Sequence, residues 1–221
     1  ISRLVGPAIG GVLLTLVGPT ETLWVTSIGF LPMIFLVRKI AIRPRDFIEK
    51  NKQNFLKALI EGFSYTRKDP FILYIFSLTI CVTMIGRGLL ETLPIIAQGV
   101  FKTGPNELGF LTASAGAGAI LASFAKAAGK PQQAGVVGTF GVLSSIIVPI
   151  TIILIGLSRD ILITACLVAL LGFATTFFAT TMQSAAQLQL TDEFRGRVMS
   201  LWTMITMGGG AIGALLLGAI S

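Results

Sequence analysis

Two ionisable residues, Arg87 and Glu91, stand four positions apart inside the apolar run Phe71 to Gln98. Residues at i and i+4 share a helix face, so the two can pair. Placing Arg near the centre of a bilayer costs roughly 2.5–3.5 kcal/mol on insertion scales, which makes an intramembrane charge a functional candidate. Counted from Phe71, Arg87 lies about 24 Å along a helix and Glu91 about 30 Å. Two readings are open. In one, Glu91 takes part in proton coupling or substrate binding at the outer side of a cavity, with Arg87 setting its charge state. In the other, the pair is structural and snorkels near the surface.

A second charged group, Asp192, Glu193, Arg195 and Arg197, reads as a short turn between two apolar runs. Its acids and arginines can pair with one another or with carbonyls at helix ends, giving a charge latch made or broken as helices move. Gln183 and Gln187, again four apart, form a polar stripe that either faces a cavity or satisfies neighbouring helices. Phe173, Phe177 and Phe178 nearby line an apolar ligand site or are core and lipid-facing residues.

Other apparent chemistry dissolves on inspection. Gly208, Gly210 and Gly213 spell G-x-G-x-x-G, but that dinucleotide signature requires a strand before it and a soluble helix after it. Inside an apolar run, small residues at this spacing let helices pack closely. Gly109, Ala113 and Ala117, and Gly209, Gly213 and Ala214, offer similar small surfaces. The chain has no histidine, so the commonest general base and metal ligand are missing together. Cys81 and Cys166 stand apart in apolar runs and read as small buried hydrophobes, with no spacing for a metal site or redox pair. No nucleophile with a base, metal cluster or phosphate loop supports an enzyme, and no cofactor is implied.

The elements that must carry these residues follow from composition. Of 221 residues, 53% are hydrophobic and 12% charged. Soluble domains hold about 25% charged residues, so the chain reads as a polytopic membrane protein. Seven runs qualify as spanning helices: Leu4 to Val17, Thr22 to Val37, Phe71 to Gln98, Leu108 to Ala125, Gly135 to Leu157, Ile161 to Leu190 and Val198 to Ile220. None alternates with a period of two, and lipid cannot satisfy an open sheet edge, so an all-α bundle is expected. Residues 38–70 differ, with nine of the 17 Lys and Arg residues. They form a polar connector between residues 1–37 and the bundle 71–221. Within it Phe55, Leu56, Leu59, Ile60 and Phe63 share one face, as expected of an amphipathic helix on a membrane surface, with a partner-binding helix the alternative.

Basic residues count to 14 on the connector's side and to two, Lys102 and Arg159, on the other, so the connector should be cytoplasmic. The net charge of +7 is thereby explained as topology, with no nucleic-acid partner. The chain starts at Ile1 and stops at Ser221 within apolar runs, and reads as a fragment of a longer protein.

One resemblance joins these features. Gly6, Pro7, Gly10 and Gly11 form G-P-x-x-G-G within S-R-L-V-G-P-A-I-G-G-V-L-L, where proline removes a backbone hydrogen bond and the glycines admit a neighbouring backbone. Later come E-G-F-S-Y-T-R-K-D-P, L-P-I-I-A-Q, L-G-F-L-T-A-S-A-G-A-G-A and R-G-R-V-M-S-L. In this order they resemble the major facilitator superfamily, and within it the transmembrane secretion effector group of bacterial efflux proteins. The resemblance implies that the runs are helices five to eleven of a twelve-helix transporter. It also implies proton-coupled efflux of small amphiphilic molecules, such as siderophores or macrolides, by alternating access across a bacterial inner membrane, and a monomer when full length. A lysophospholipid flippase of the same superfamily is the alternative within transport, and a receptor or scaffold the alternative outside it.

Overall fold

The computed structural model describes residues 18–39, 55–99, 105–129 and 132–220, and among them every regular element is helical. The helices are α1 Pro19–Gly29, α2 Leu31–Lys39, α3 Phe55–Lys68, α4 Pro70–Val82, α5 Gly88–Gly99, α6 Pro105–Ala128, α7 Thr139–Leu157, α8 Ile161–Gln189 and α9 Asp192–Ile220. A π-helical segment, Thr83–Arg87, joins α4 to α5. Five helices are long and apolar enough to cross a membrane: Pro70–Ile95, Glu107–Ala128, Thr139–Leu157, Ile161–Gln189 and Asp192–Ala219. They correspond to the last five expected runs. The first run lies outside the described residues.

The second run is not one spanning helix. It is broken at Phe30 into the short helices α1 and α2. Pro32 has no N–H to offer the preceding turn, so the hydrogen-bond ladder lapses at Phe30 although Phe30 keeps helical dihedrals (φ −81°, ψ −18°) and Leu31 is itself helical. Leu23, Trp24 and Phe35 remain exposed on this pair.

Helix starts follow local chemistry. Asp69 Oδ1 accepts from the Phe71 and Ile72 amides at 2.9 and 3.2 Å, with Pro70 at the first helical position, so α4 begins there. Asp160 caps α8 in the same way, accepting from Leu162 and Ile163 at 2.8 and 3.1 Å. Asp69 also accepts from Gln189 Nε2 at 3.3 Å, tying the end of α8 to the start of α4.

α8 forms the centre of the bundle, with Val168, Leu171, Ala174, Phe178, Met182 and Ala185 fully buried. The outer face of α7 is the reverse, leaving Leu143, Ile146, Ile150, Ile153 and Leu157 exposed at helical spacing. Such a face suits lipid. Several buried hydroxyls bond back to their own helices, though not that of Thr181: Thr79 donates to the Ile75 carbonyl at 2.7 Å, Thr83 to Thr79 at 2.6 Å and Thr151 to Ile147 at 2.8 Å. This is how a polar side chain survives without water.

Two close crossings hold the bundle. On one, Gly118 of α6 faces the Ala169 backbone and Gly172 of α8 faces the Ala115 backbone. The small face of α6 used here is therefore Ala115 and Gly118, and not the expected Gly109, Ala113 and Ala117, which look outward. Spacing defines a face without saying which side the partner takes. On the other crossing, Gly209 and Gly213 of α9 press on Thr83 and Met84 of the π segment, and Gly88 faces the Gly213 backbone. Gly208 has open space around it, so only the later glycines of the G-x-G-x-x-G pattern pack.

α3 forms within the expected connector and packs on the bundle by a face other than its apolar one. Gly62, Tyr65 and Thr66 meet the bundle, whereas Ile60 and Phe63 stay exposed. A glycine allows the closest approach, and Gly62 sits against the Arg197 backbone of α9.

Candidate functional site

Arg87 closes the π segment, and Glu91 follows one turn later on α5. Arg87 Nε and Glu91 Oε1 lie 3.1 Å apart, with the side chains 39% and 42% exposed. The pair therefore opens to the surface of the bundle and is not sealed inside it. Glu91 lies four residues, about 6 Å, from the C-terminal end of the span at Ile95.

A π turn inserts one extra residue into an α-helix and turns the following side chains relative to the preceding ones. Here the segment is clamped on several sides. A methyl on Gly86 would stand 2.8 Å from Thr175 Cγ2 of α8 and 2.9 Å from Val148 Cγ1 of α7. On α9, Gly210 leaves room for the ion pair itself: a methyl there would lie 2.9 Å from Arg87 Cδ and 3.1 Å from Glu91 Oε1. The pair thus rests on a glycine floor, beside the α9 crossing.

The second group of charges behaves differently from the expected turn. The turn is confined to Leu190 and Thr191, and Asp192 to Val198 are already helical. Phe194 and Arg195 amides bond the Thr191 carbonyl at 3.2 and 3.0 Å, and two acids in the first turn suit the positive helix end. Arg195 reaches Asp192 Oδ1 at 2.5 Å and the Leu190 carbonyl at 3.3 Å. Arg197 reaches across to α3 and pairs with Glu61, Nη1 to Oε2 at 2.6 Å, in a more enclosed setting of 17% and 31% exposure. Its guanidinium lies 5.5 Å from the Phe194 ring centroid, and Phe194 stacks on Tyr65 at 4.7 Å. These residues, with Ser64, Lys68 and Glu193, line an open cavity of about 380 Å³.

Gln183 and Gln187 are exposed on α8. They do not join the Arg87–Glu91 pair, because the π segment meets α8 at Thr175, eight residues or about 12 Å before Gln183. Gly6, Pro7, Gly10 and Gly11 lie outside the described residues. Phe178 is fully buried in the core, while Phe173 and Phe177 stack on each other, half-buried. Cys81 and Cys166 are exposed, contrary to the expected burial, and both sit on outward faces of spanning helices. Glu61, Tyr65 and Phe194 were not legible as partners, since 136 positions separate Glu61 from Arg197.

Residues 1–221, the whole chain, match the family model described as transmembrane secretion effector. The chain belongs to that family. It is thus a multi-pass membrane protein of the major facilitator superfamily, whose members are transporters and generally not enzymes. Among its curated relatives are the enterobactin exporter of Shigella boydii serotype 18, 27% identical over 221 residues, and that of Escherichia coli strain SMS-3-5, 26% identical over the same length. Each alignment covers 100% of this chain and 51% of the relative, so the chain spans about half the length of the relatives it matches. No solved structure matches the chain at comparable significance.

Proposed function

We propose that the complete protein is a secondary active exporter that moves small amphiphilic molecules, siderophores or macrolide-like compounds, out of a bacterial cell by alternating access. The observation that carries this reading is an ion pair, Arg87–Glu91, held within a membrane span directly after a π turn and against the glycines of α9. A carboxylate there can exchange its arginine for a proton, and a glycine-lined crossing beside it provides a place for two helices to shift. Family membership and the names of the relatives support the export direction and the substrate class.

In this arrangement the connector and α3 are cytoplasmic, and Glu91 faces the outer side of the translocation path. The test uses the complete gene in cells, measuring substrate accumulation with and without a protonophore. Glu91→Gln should cut proton-driven efflux about tenfold or more, a loss of ~1.4 kcal/mol of coupling, at unchanged protein level. Efflux that survives both the protonophore and the substitution overturns proton coupling. If no siderophore, drug or lysolipid moves at all, the transport reading falls.

A further inference from the structure

Lys126 lies in the last turn of α6, within the span Glu107–Ala128. Its Nζ donates to Gln132 Oε1 at 3.0 Å, and Gln132 Nε2 donates to the Val136 carbonyl at 2.5 Å, which fixes the ammonium in place. Among the described residues no carboxylate pairs with it. Its remaining neighbour is an aromatic surface: the ammonium stands 5.8 Å from the Phe177 ring centroid, and Phe177 stacks nearly parallel on Phe173, centroids 5.8 Å apart at 15°.

α8 extends this surface. At about 100° per residue, Phe173, Phe177, Gln183 and Gln187 fall within one stripe roughly 120° wide. α7 packs on a neighbouring side of α8, at Thr181, and α6 crosses the upstream part of the stripe itself, where Gly118 meets the backbone of Ala169 and Phe173. Past that crossing the stripe opens: Phe173 and Phe177 are half-buried, and the amides of Gln183 and Gln187 are exposed and bonded to no described residue. No acidic residue occurs anywhere on α8.

A lone ammonium at the edge of a low-dielectric region, satisfied by one amide oxygen and one ring face, retains a strong preference for an anion. Two coplanar rings beside it favour a flat apolar group, and the free amides downstream can donate to carbonyl or hydroxyl oxygens. The geometry points to a binding position for an anionic amphiphile carrying a planar ring, its charge on Lys126 and its ring on Phe173 and Phe177. This deepens the exporter reading and rests on it: the site selects anionic over cationic aromatic substrates. A phospholipid headgroup supplies the same anionic chemistry without the ring.

The experiment uses the full-length protein in phosphatidylcholine nanodiscs and three probes of one shape: naphthalenesulfonate, uncharged naphthalenemethanol and cationic naphthylmethylammonium. The sulfonate should bind about tenfold more tightly than the alcohol, the scale of one partly desolvated charge contact. Lys126→Gln should erase that preference and leave alcohol binding within about twofold, Lys126→Arg should keep it, and Lys126→Glu should turn it toward the ammonium. Phe177→Leu should weaken all three alike. A preference that persists in Lys126→Gln, or that Lys126→Glu fails to reverse, overturns the site. Displacement of the sulfonate by added phosphatidylglycerol assigns the position to lipid and also overturns it. Proton-driven export with unchanged charge selectivity in Lys126→Gln defeats this inference alone, whereas absence of export of any compound defeats the reading beneath it.

Discussion

Where α6 meets α8, added methyl groups on Gly118 or Gly172 would collide with the partner's backbone, at Ala169 and Ala115. Where α9 meets the π segment, Gly213 stands just as close to the Met84 backbone, yet Gly209 and Gly210 beside it face the side chains of Thr83, Arg87 and Glu91. The first contact is backbone against backbone, between two uninterrupted helices. The second sets a glycine face against a helix with an irregular turn and an ion pair that reaches the surface. Small residues bring backbones together in both places, but only the second has an alternative arrangement at hand, because side chains can move and a π turn can migrate or relax. Close packing alone therefore makes a rigid unit, and a packing defect next to it makes a joint.

The largest effect should come from the rigid side. Gly118→Leu forces a side chain into the Ala169 backbone, where nothing flexible can give way, and should lose about 3 kcal/mol or more of stability, read as collapse of folded yield and thermal midpoint in detergent. Gly208→Ala, with open space at its Cβ, is the matched control and should stay within about 0.5 kcal/mol of the parent. A Gly118→Leu protein as stable as the control would remove the distinction between the two contacts.

An intermediate effect is expected at the joint. Gly210→Ala meets only the movable stem of Arg87 and the Glu91 carboxylate, so stability should fall by about 1 kcal/mol while efflux by the complete protein falls several-fold more than folded yield. Equal losses of yield and efflux would make the two crossings alike. The smallest effect concerns Arg197 and Glu61. Because this pair is part-exposed, a double-mutant cycle with Arg197→Gln and Glu61→Gln should give a coupling of about 0.5–1 kcal/mol that shrinks in high salt. A coupling near zero would mean that α3 is held by Gly62, Tyr65 and Thr66 without the charges.

The same contrast explains what the amino-acid order disclosed. Long apolar stretches without alternation announced the five long helices, and Arg87 and Glu91 announced their own pairing because a helix brings i and i+4 together. The G-x-G-x-x-G stretch was legible as packing, yet not which of its glycines pack, since a stripe of small residues carries no label for its partner. The π turn left no sign either: Thr83–Arg87 contains nothing that an ordinary helix rejects, and the clamp on Gly86 and Gly88 comes from three distant helices. Likewise the pairing of Arg197 with Glu61 was hidden, because the helix begins at Asp192 and carries Arg197 round to α3. The Pro32 break was readable in principle, from a proline in the middle of an apolar stretch.

α9 bears both the glycine floor and Arg197, and this makes it a lever. Thirteen residues separate Gly210 from Arg197, an arm of about 20 Å. A tilt of about 10° at the glycine fulcrum swings the far end by about 3.5 Å, on the order of the reach of a direct ion pair. A small rearrangement at the Arg87–Glu91 pair would thereby be magnified into the making or breaking of the Arg197–Glu61 contact at the far end of the same helix.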